Sequence, residues 1–280
     1  MSGDSFSPGD FCETILRQTS GGIVDDDGAV PIEAIRSWAS QVRDCLRSAK
    51  LEAHEPVLVP IGARGEDIAA ILGVILGTGV AVPIHQGAHA DNVAQVRSIT
   101  RARYEVSMPV RGASTPPTLT QFADEAPPTR PLLSEAAMMT FTSGSTGQPK
   151  GVVLSRARMS AKFKTIQQKI SLPRGAVTSV PLQLTFSFGQ WAAFVTLMQG
   201  GTVQMSSRFD PEATAHSLSD GAAQFLAAVP TMLRMLPTMG VNDRPVTILT
   251  GGEAVNADLR QRLFRQWPRA KIFSIYGITE

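Results

Sequence analysis

Between Ile68 and Ile84 the chain reads IAAILGVILGTGVAVPI, seventeen residues without a charge. That is slightly short for a membrane span, and Gly77, Gly79 and Pro83 interrupt it. The pattern predicts a buried helix from about Glu66 to Leu76, a Gly-Thr-Gly turn, and a short strand from Val80 to Ile84. Just before it, Pro56-Val57-Leu58-Val59-Pro60-Ile61 is an apolar run between breakers and reads as a buried strand. Strand, helix, strand in that order is a parallel α/β unit, because parallel neighbours need a crossover connection.

The rest of the chain extends this alternation. Its 280 residues suffice for one large or two modest domains with a buried core. Residues 1 to about 28 are rich in Ser, Gly and Asp, with a turn signal at Asp25-Asp26-Asp27-Gly28, and read as a loose entry. From Pro31, the residues Ile32, Ile35, Trp38, Ala39, Val42 and Leu46 follow a helical stripe. The Pro-rich stretch Thr115 to Pro131 reads as a surface connection. Strands at Ala136 to Thr142 and Gly151 to Ser155 follow, then a helix from Arg156 to Ile170. Further strands are expected near residues 176–181, 202–205, 224–229, 246–250 and 271–275, with helices near 189–198 and 211–218. The fold class is α/β.

Charge excludes some functions. The 26 Lys and Arg against 24 Asp and Glu leave a net +2, no electrostatic reason for nucleic acid or an anionic membrane as the main partner. Cys12 and Cys45 cannot build a disulfide framework or a Cys-rich zinc site. With no basic segment leading into an apolar stretch in MSGDSFSPGDF, a cytoplasmic location without a membrane span is expected.

The most informative decapeptide is Thr142-Ser143-Gly144-Ser145-Thr146-Gly147-Gln148-Pro149-Lys150-Gly151. Glycines free the backbone to turn N–H groups inward, hydroxyls add donors, and Lys150 adds a full positive charge. Together they suit a polyphosphate. The pattern is neither the common P-loop, whose lysine opens a helix, nor a nucleophile elbow. A serine- and glycine-rich hairpin tip with an incidental lysine is the alternative reading.

The segment MTFTSGSTGQPKGVVLS, Met139 to Ser155, resembles the phosphate-loop signature of the adenylate-forming enzymes, which include acyl-CoA synthetases, aryl-CoA ligases and adenylation domains of nonribosomal peptide synthetases. Leu76 to Ile84 resembles the family's Gly-x-x-x-Val-Pro strand. Thr250-Gly251-Gly252-Glu253-Ala254 resembles its adenine-lining turn, and Tyr276-Gly277-Ile278-Thr279-Glu280 its Tyr-Gly-x-Thr-Glu motif. The resemblance runs from about Ile32 to Glu280. It implies layered mixed β-sheets flanked by helices, with residues 29–280 as a partial N-terminal AMP-binding domain, incomplete at its C-terminal end.

By matching position, the resemblance implies that Ser143, Ser145, Thr146 and Lys150 contact the β- and γ-phosphates of ATP, in a loop shared with Thr142, Gly144 and Gly147. Gly252, Glu253 and Ala254 line the adenine, on which Tyr276 stacks beside Gly277. Thr279 binds the α-phosphate and Glu280 ligates Mg²⁺, which puts Lys150, Thr279 and Glu280 in the catalytic set. An aromatic face suits a purine, and a carboxylate suits a hard cation. The implied reaction is ATP-dependent activation of a small carboxylic acid as an acyl-adenylate. Transfer follows to a thiol of coenzyme A or of phosphopantetheine, the latter making an acyl carrier protein a candidate partner.

The sequence also departs from the family pattern. After Glu280 there is no ribose-binding aspartate segment, no hinge and no small domain with a catalytic lysine. The chain reads as a fragment, a split protein or a decayed one, and by itself is expected to bind ATP weakly and to associate. The alternative function is a non-catalytic nucleotide-binding or interaction module. In the acid-binding region, Ser187 stands where amino-acid-activating domains carry an aspartate that pairs the substrate ammonium. A buried ammonium without a counter-charge is costly, so α-amino acids are disfavoured. Phe186, Ser187, Phe188, Trp191, Val229 and Gly251 are the expected pocket, although core packing explains each apolar one equally well. His85 and His89 sit four apart around Gly87, which favours a loop over a helix, and with no third ligand near they make a poor metal site. Arg97, Arg101 and Arg103 read as a solvated basic face.

Overall fold

The computed structural model describes residues 10–277, apart from 114, 129 and 144–148. Two sheets organise it. The first contains β1 (Gly22–Asp25), β2 (Gly28–Pro31), β9 (Val177–Ser179), β10 (Thr202–Gln204), β11 (Phe225–Ala227), β12 (Thr247–Gly251) and β13 (Lys271–Ile275). Its order is β13-β12-β11-β9-β10-β1-β2, and only the β1–β2 hairpin is antiparallel. The second contains β3 (Pro56–Ile61), β4 (Val80–His85), β5 (Tyr104–Ser107), β6 (Thr118–Gln121), β7 (Ala136–Ser143) and β8 (Pro149–Ser155). Its order is β6-β5-β3-β4-β7-β8, with antiparallel pairs at both edges. Mixed sheets flanked by helices are the expected α/β architecture.

The charge-free run resolves as the sequence predicts. Helix α3 (Gly65–Leu76) is buried along nearly its whole length, and β4 lies parallel to β3. Helix α2 (Ile32–Ser48) packs its apolar stripe on α3. Gly73 permits that approach: a side-chain carbon there would meet Val42 Cβ at 2.6 Å and the Ala39 carbonyl at 2.7 Å. Helices α5 (Arg156–Ile170) and α6 (Ser187–Met198) meet α1 (Phe11–Leu16) at the rings of Phe163, Phe194 and Phe11, whose centroids lie 5.3–5.9 Å apart.

Three expectations are corrected. Residues 10–28 are not a loose entry. Asp10 caps α1, whose Phe11, Cys12 and Ile15 are fully buried, and β1 lies inside the first sheet, parallel to β10. The Asp and Gly content serves caps and turns instead: Asp25 accepts the Asp27 N–H in the turn between β1 and β2. Residues 1–9 lie outside the described ones. The Pro-rich connection contains an edge strand, β6, where proline beside it is tolerated.

The third correction concerns Arg103. Helix α4 (Ala90–Thr100) ends at Arg101 in the left-handed region, so Arg103 falls beyond it, next to β5. It is buried, pairs with both carboxylate oxygens of Glu55 at 2.9 Å, and lies over the Tyr104 ring at 4.6 Å. Those bonds hold the Arg103 pKa above its ordinary value. Arg97 and Arg101 are exposed as expected. A second buried ion cluster joins the two sheets. Arg111 bonds Asp25 of β1 at 2.8 Å and Glu66 of α3 at 2.8 and 2.9 Å.

Candidate nucleotide and acid site

The decapeptide spans the β7–β8 hairpin, in which Thr142 pairs with Lys150 and Ser143 with Pro149. Lysine therefore sits in a strand and not at a helix start. Its side chain is exposed, and it makes no ion pair among the described residues. Gly144, Ser145, Thr146 and Gly147 lie outside the described residues, as do Thr279 and Glu280.

The residues expected to line adenine sit at the carboxyl ends of parallel strands, where ligands bind in open α/β sheets. Strand β12 ends at Gly251, opposite Ile275 at the end of β13. Gly252 follows with φ +88°, a conformation that glycine adopts without strain. Glu253 accepts from Thr231 at 3.0 Å and pairs with Arg234 at 3.3 Å. Ala254 is exposed beside it. Tyr276 is 100% exposed, so its ring is free to take a planar partner, and Gly277 is exposed too. Val229 is the residue nearest Gly252, 3.7 Å from where a side-chain carbon would stand. At the end of β12, Thr250 is fully buried and its hydroxyl has no partner among the described residues.

The six residues expected to form the acid pocket are distributed over several places. Ser187 and Trp191 line a cavity of about 270 Å³ between β8, α5 and α6. Phe188 stacks on Trp191 with centroids 5.1 Å apart. Phe186, 57% exposed, lines a different cavity of about 420 Å³ with Thr142 and Pro149 of the hairpin and the end of β4. Val229 and Gly251 belong to the strand ends described above. Sequence reasoning missed Arg158, Lys162 and Gln190, which line the first cavity. Partial desolvation lowers the Lys162 pKa. The pattern that could have found the two cations is their four-residue spacing on an amphipathic helix with no acidic neighbour.

Among the described residues, no three or more His, Cys, Asp or Glu side chains gather into a metal site, and no helix is long and apolar enough to cross a membrane. His85 and His89 act in turns instead: their Nδ1 atoms accept the N–H groups of Gly87 and Asp91.

Residues 33–280 match the sequence profile of the AMP-binding enzymes. The chain belongs to that family. Its AMP-binding relatives include AMB antimetabolite synthetase AmbE of Pseudomonas aeruginosa, 26% identical over 95% of this chain and 13% of the relative. Phenyloxazoline synthase MbtB of Mycobacterium tuberculosis is 26% identical over 99% of this chain and 20% of its own length. Feruloyl-CoA synthase of an Amycolatopsis species is 28% identical over 80% and 44%. The chain thus spans less than half the length of each of these relatives. Among solved structures, the N-terminal domain of FACL13 from Mycobacterium tuberculosis superposes with a TM-score of 0.79 at 18% identity, covering 97% of this chain and 76% of that one. VinN in complex with L-aspartate gives 0.77 at 16%, covering 96% and 76%. These likenesses establish the fold of an adenylate-forming N-terminal domain.

Proposed function

We propose that this AMP-binding chain activates a small carboxylic acid by adenylation. A carboxylate oxygen of the acid attacks the α-phosphorus of ATP. The bond to the β-phosphate bridging oxygen breaks, pyrophosphate leaves, and an acyl-adenylate forms. A thiol of coenzyme A or of a carrier-protein phosphopantetheine then attacks the acyl carbonyl and AMP departs.

The observation that carries this reading is the β7–β8 hairpin. It presents Lys150, an exposed cation with no ion-pair partner among the described residues, opposite Thr142 at the base of the glycine-rich loop. A free charge there can neutralise the negative charge that builds on departing pyrophosphate, where such contacts matter most. Tyr276, unobstructed at the end of β13, offers a flat apolar face for the adenine, and the Gly252 turn lets backbone approach its edge. Ser143, Ser145 and Thr146 supply hydroxyl donors to the phosphates, and Thr279 to the α-phosphate. Glu280 would hold Mg²⁺, which would supply positive charge against the phosphates of the nucleotide; among the described residues no three His, Cys, Asp or Glu side chains gather into another metal site.

Ser187 leaves an α-ammonium without a counter-charge, so the acid is not an α-amino acid. The cytoplasm is the proposed location, consistent with two free cysteines, one of them, Cys12, buried and with its thiol pKa raised by that burial. The test is acid-dependent exchange of labelled pyrophosphate into ATP across a panel of alkyl, aryl and amino acids. Exchange with at least one non-amino acid is expected. ATP binding without exchange for any acid would favour the non-catalytic nucleotide-binding module.

A further inference from the structure

The cavity between β8, α5 and α6 has a chemical bias of its own. Arg158 and Lys162 stand four residues apart on one face of α5 and both line it. Neither makes an ion pair among the described residues, and no aspartate or glutamate lines the cavity. On the opposite side α6 begins at Ser187, and no side chain among the described residues caps its N-terminus. Gln190, one turn further on, is 2% exposed. Its Oε1 accepts from Thr140 at 3.4 Å, and its Nε2 has no partner among the described residues. A buried amide donor left unsatisfied is costly unless a ligand completes it.

The remaining wall is apolar, built from Met159, Phe163 and Trp191. An apolar cavity of about 150 Å³ holds one benzene molecule. A volume of about 270 Å³ therefore admits one ring, or a six-carbon chain, with a polar group at its end.

We propose that this cavity receives the distal part of the acid to be activated and selects acids that carry a second anionic group at the far end. A dicarboxylate meets each feature. Its methylenes or ring lie against Trp191, Phe163 and Met159. Its distal carboxylate accepts from Gln190 Nε2 and faces Arg158 and Lys162. The inference rests on the adenylation reading for the identity of the bound acid as the reacting one. It replaces that reading's general acid with a defined class.

Three probes of equal chain length separate the alternatives: adipate with a distal carboxylate, hexanoate with a methyl, and 6-aminohexanoate with an ammonium. Titration calorimetry of each into the full chain is expected to show adipate binding at least tenfold tighter than hexanoate, with 6-aminohexanoate weakest. Lys162→Glu, an exposed helix substitution, should erase the preference for adipate and raise that for 6-aminohexanoate. Arg158→Glu on the same face should shift the order in the same direction. Equal binding of adipate and hexanoate, or no binding of any probe, would overturn the inference, as would a preference unchanged by both variants. Pyrophosphate exchange run alongside keeps the two readings apart. Exchange driven by monocarboxylates without a dicarboxylate preference defeats this inference alone. Selective adipate binding without exchange for any acid defeats adenylation and leaves the anion selectivity standing.

Discussion

Thr142 and Lys150 are direct neighbours across the antiparallel β7–β8 ladder, which fixes the lysine backbone at the base of the glycine-rich segment. The strand places the charge, and the ladder limits how far its backbone can move. Preorganised charge of this kind acts without reorganisation during reaction.

Lys150→Ala should therefore slow adenylation with little effect on folding, because the side chain is exposed and makes no ion pair among the described residues. Losing one charged contact to a transition state costs about 2–4 kcal/mol, on the order of 10²–10³-fold in rate. Pyrophosphate exchange rates measured beside thermal melts check both halves. Exchange within about threefold of the unsubstituted enzyme would remove Lys150 from the mechanism.

Arg111→Leu should damage the fold instead. It leaves Asp25 and Glu66 buried without their shared cation, a loss of about 3–5 kcal/mol for a broken buried pair. The pH dependence carries a sign. Burial pushes the Asp25 carboxyl up, but bonds from Arg111 and the Gly65 N–H outweigh it and hold the pKa below its ordinary value. In the unsubstituted chain Asp25 thus contributes stability above its unfolded pKa of about 3.9, lost as pH falls through the lower folded value. Without Arg111 the burial effect dominates, the pKa rises, and acid relieves the buried charge. Denaturant melts should show the gap between the two proteins widest near neutral pH and narrowing steadily as the pH falls through the acidic range. A gap that widens on acidification would refute this account.

Gly251→Ala tests the coupling between β12 and β13. A side-chain carbon at Gly251 would stand 2.8 Å from the Ile275 carbonyl oxygen, a backbone atom that can yield only by moving β13. Crowding of this sort costs about 1–3 kcal/mol. Because Tyr276 follows Ile275 directly, the KM for ATP should rise along with the loss of melting temperature. A variant with unaltered stability and ATP affinity would mean that the strand ends are looser than the register indicates.

Much of the architecture was legible because local and global patterns agree. The uncharged run 68–84 could only be a buried helix and strand, and the structure places α3 and β4 there. The hairpin around the glycine-rich loop was legible from the apolar runs on either side, which form β7 and β8, while the loop residues 144–148 lie outside the described ones. Arg103 was not legible. Its partner Glu55 lies 48 residues away, and nothing local distinguishes a buried, paired arginine from its solvated neighbours Arg97 and Arg101. The segment 10–28 misled because Asp and Gly mark caps and tight turns as readily as loose chain. The expected pocket residues divided because Phe186 precedes α6 whereas Ser187 and Trp191 lie within it, so that adjacent residues line two different cavities.

Tyr276 gives the sharpest separation of function from folding. It stands beyond the last residue of β13 with its side chain 100% exposed, so no packing depends on it. Tyr276→Ala should leave the melting temperature unchanged. If the ring stacks on adenine, its removal costs about 1–3 kcal/mol, the range for base–aromatic stacking. The KM for ATP should then rise by about 5- to 150-fold at 1.4 kcal/mol per factor of ten. Tyr276→Phe keeps the aromatic face and should stay near the unsubstituted value, because stacking needs the ring and not the hydroxyl. Equal losses for Ala and Phe would point to the hydroxyl as the contributing group. No loss for either would place the adenine elsewhere, and with it the nucleotide side of the proposed site.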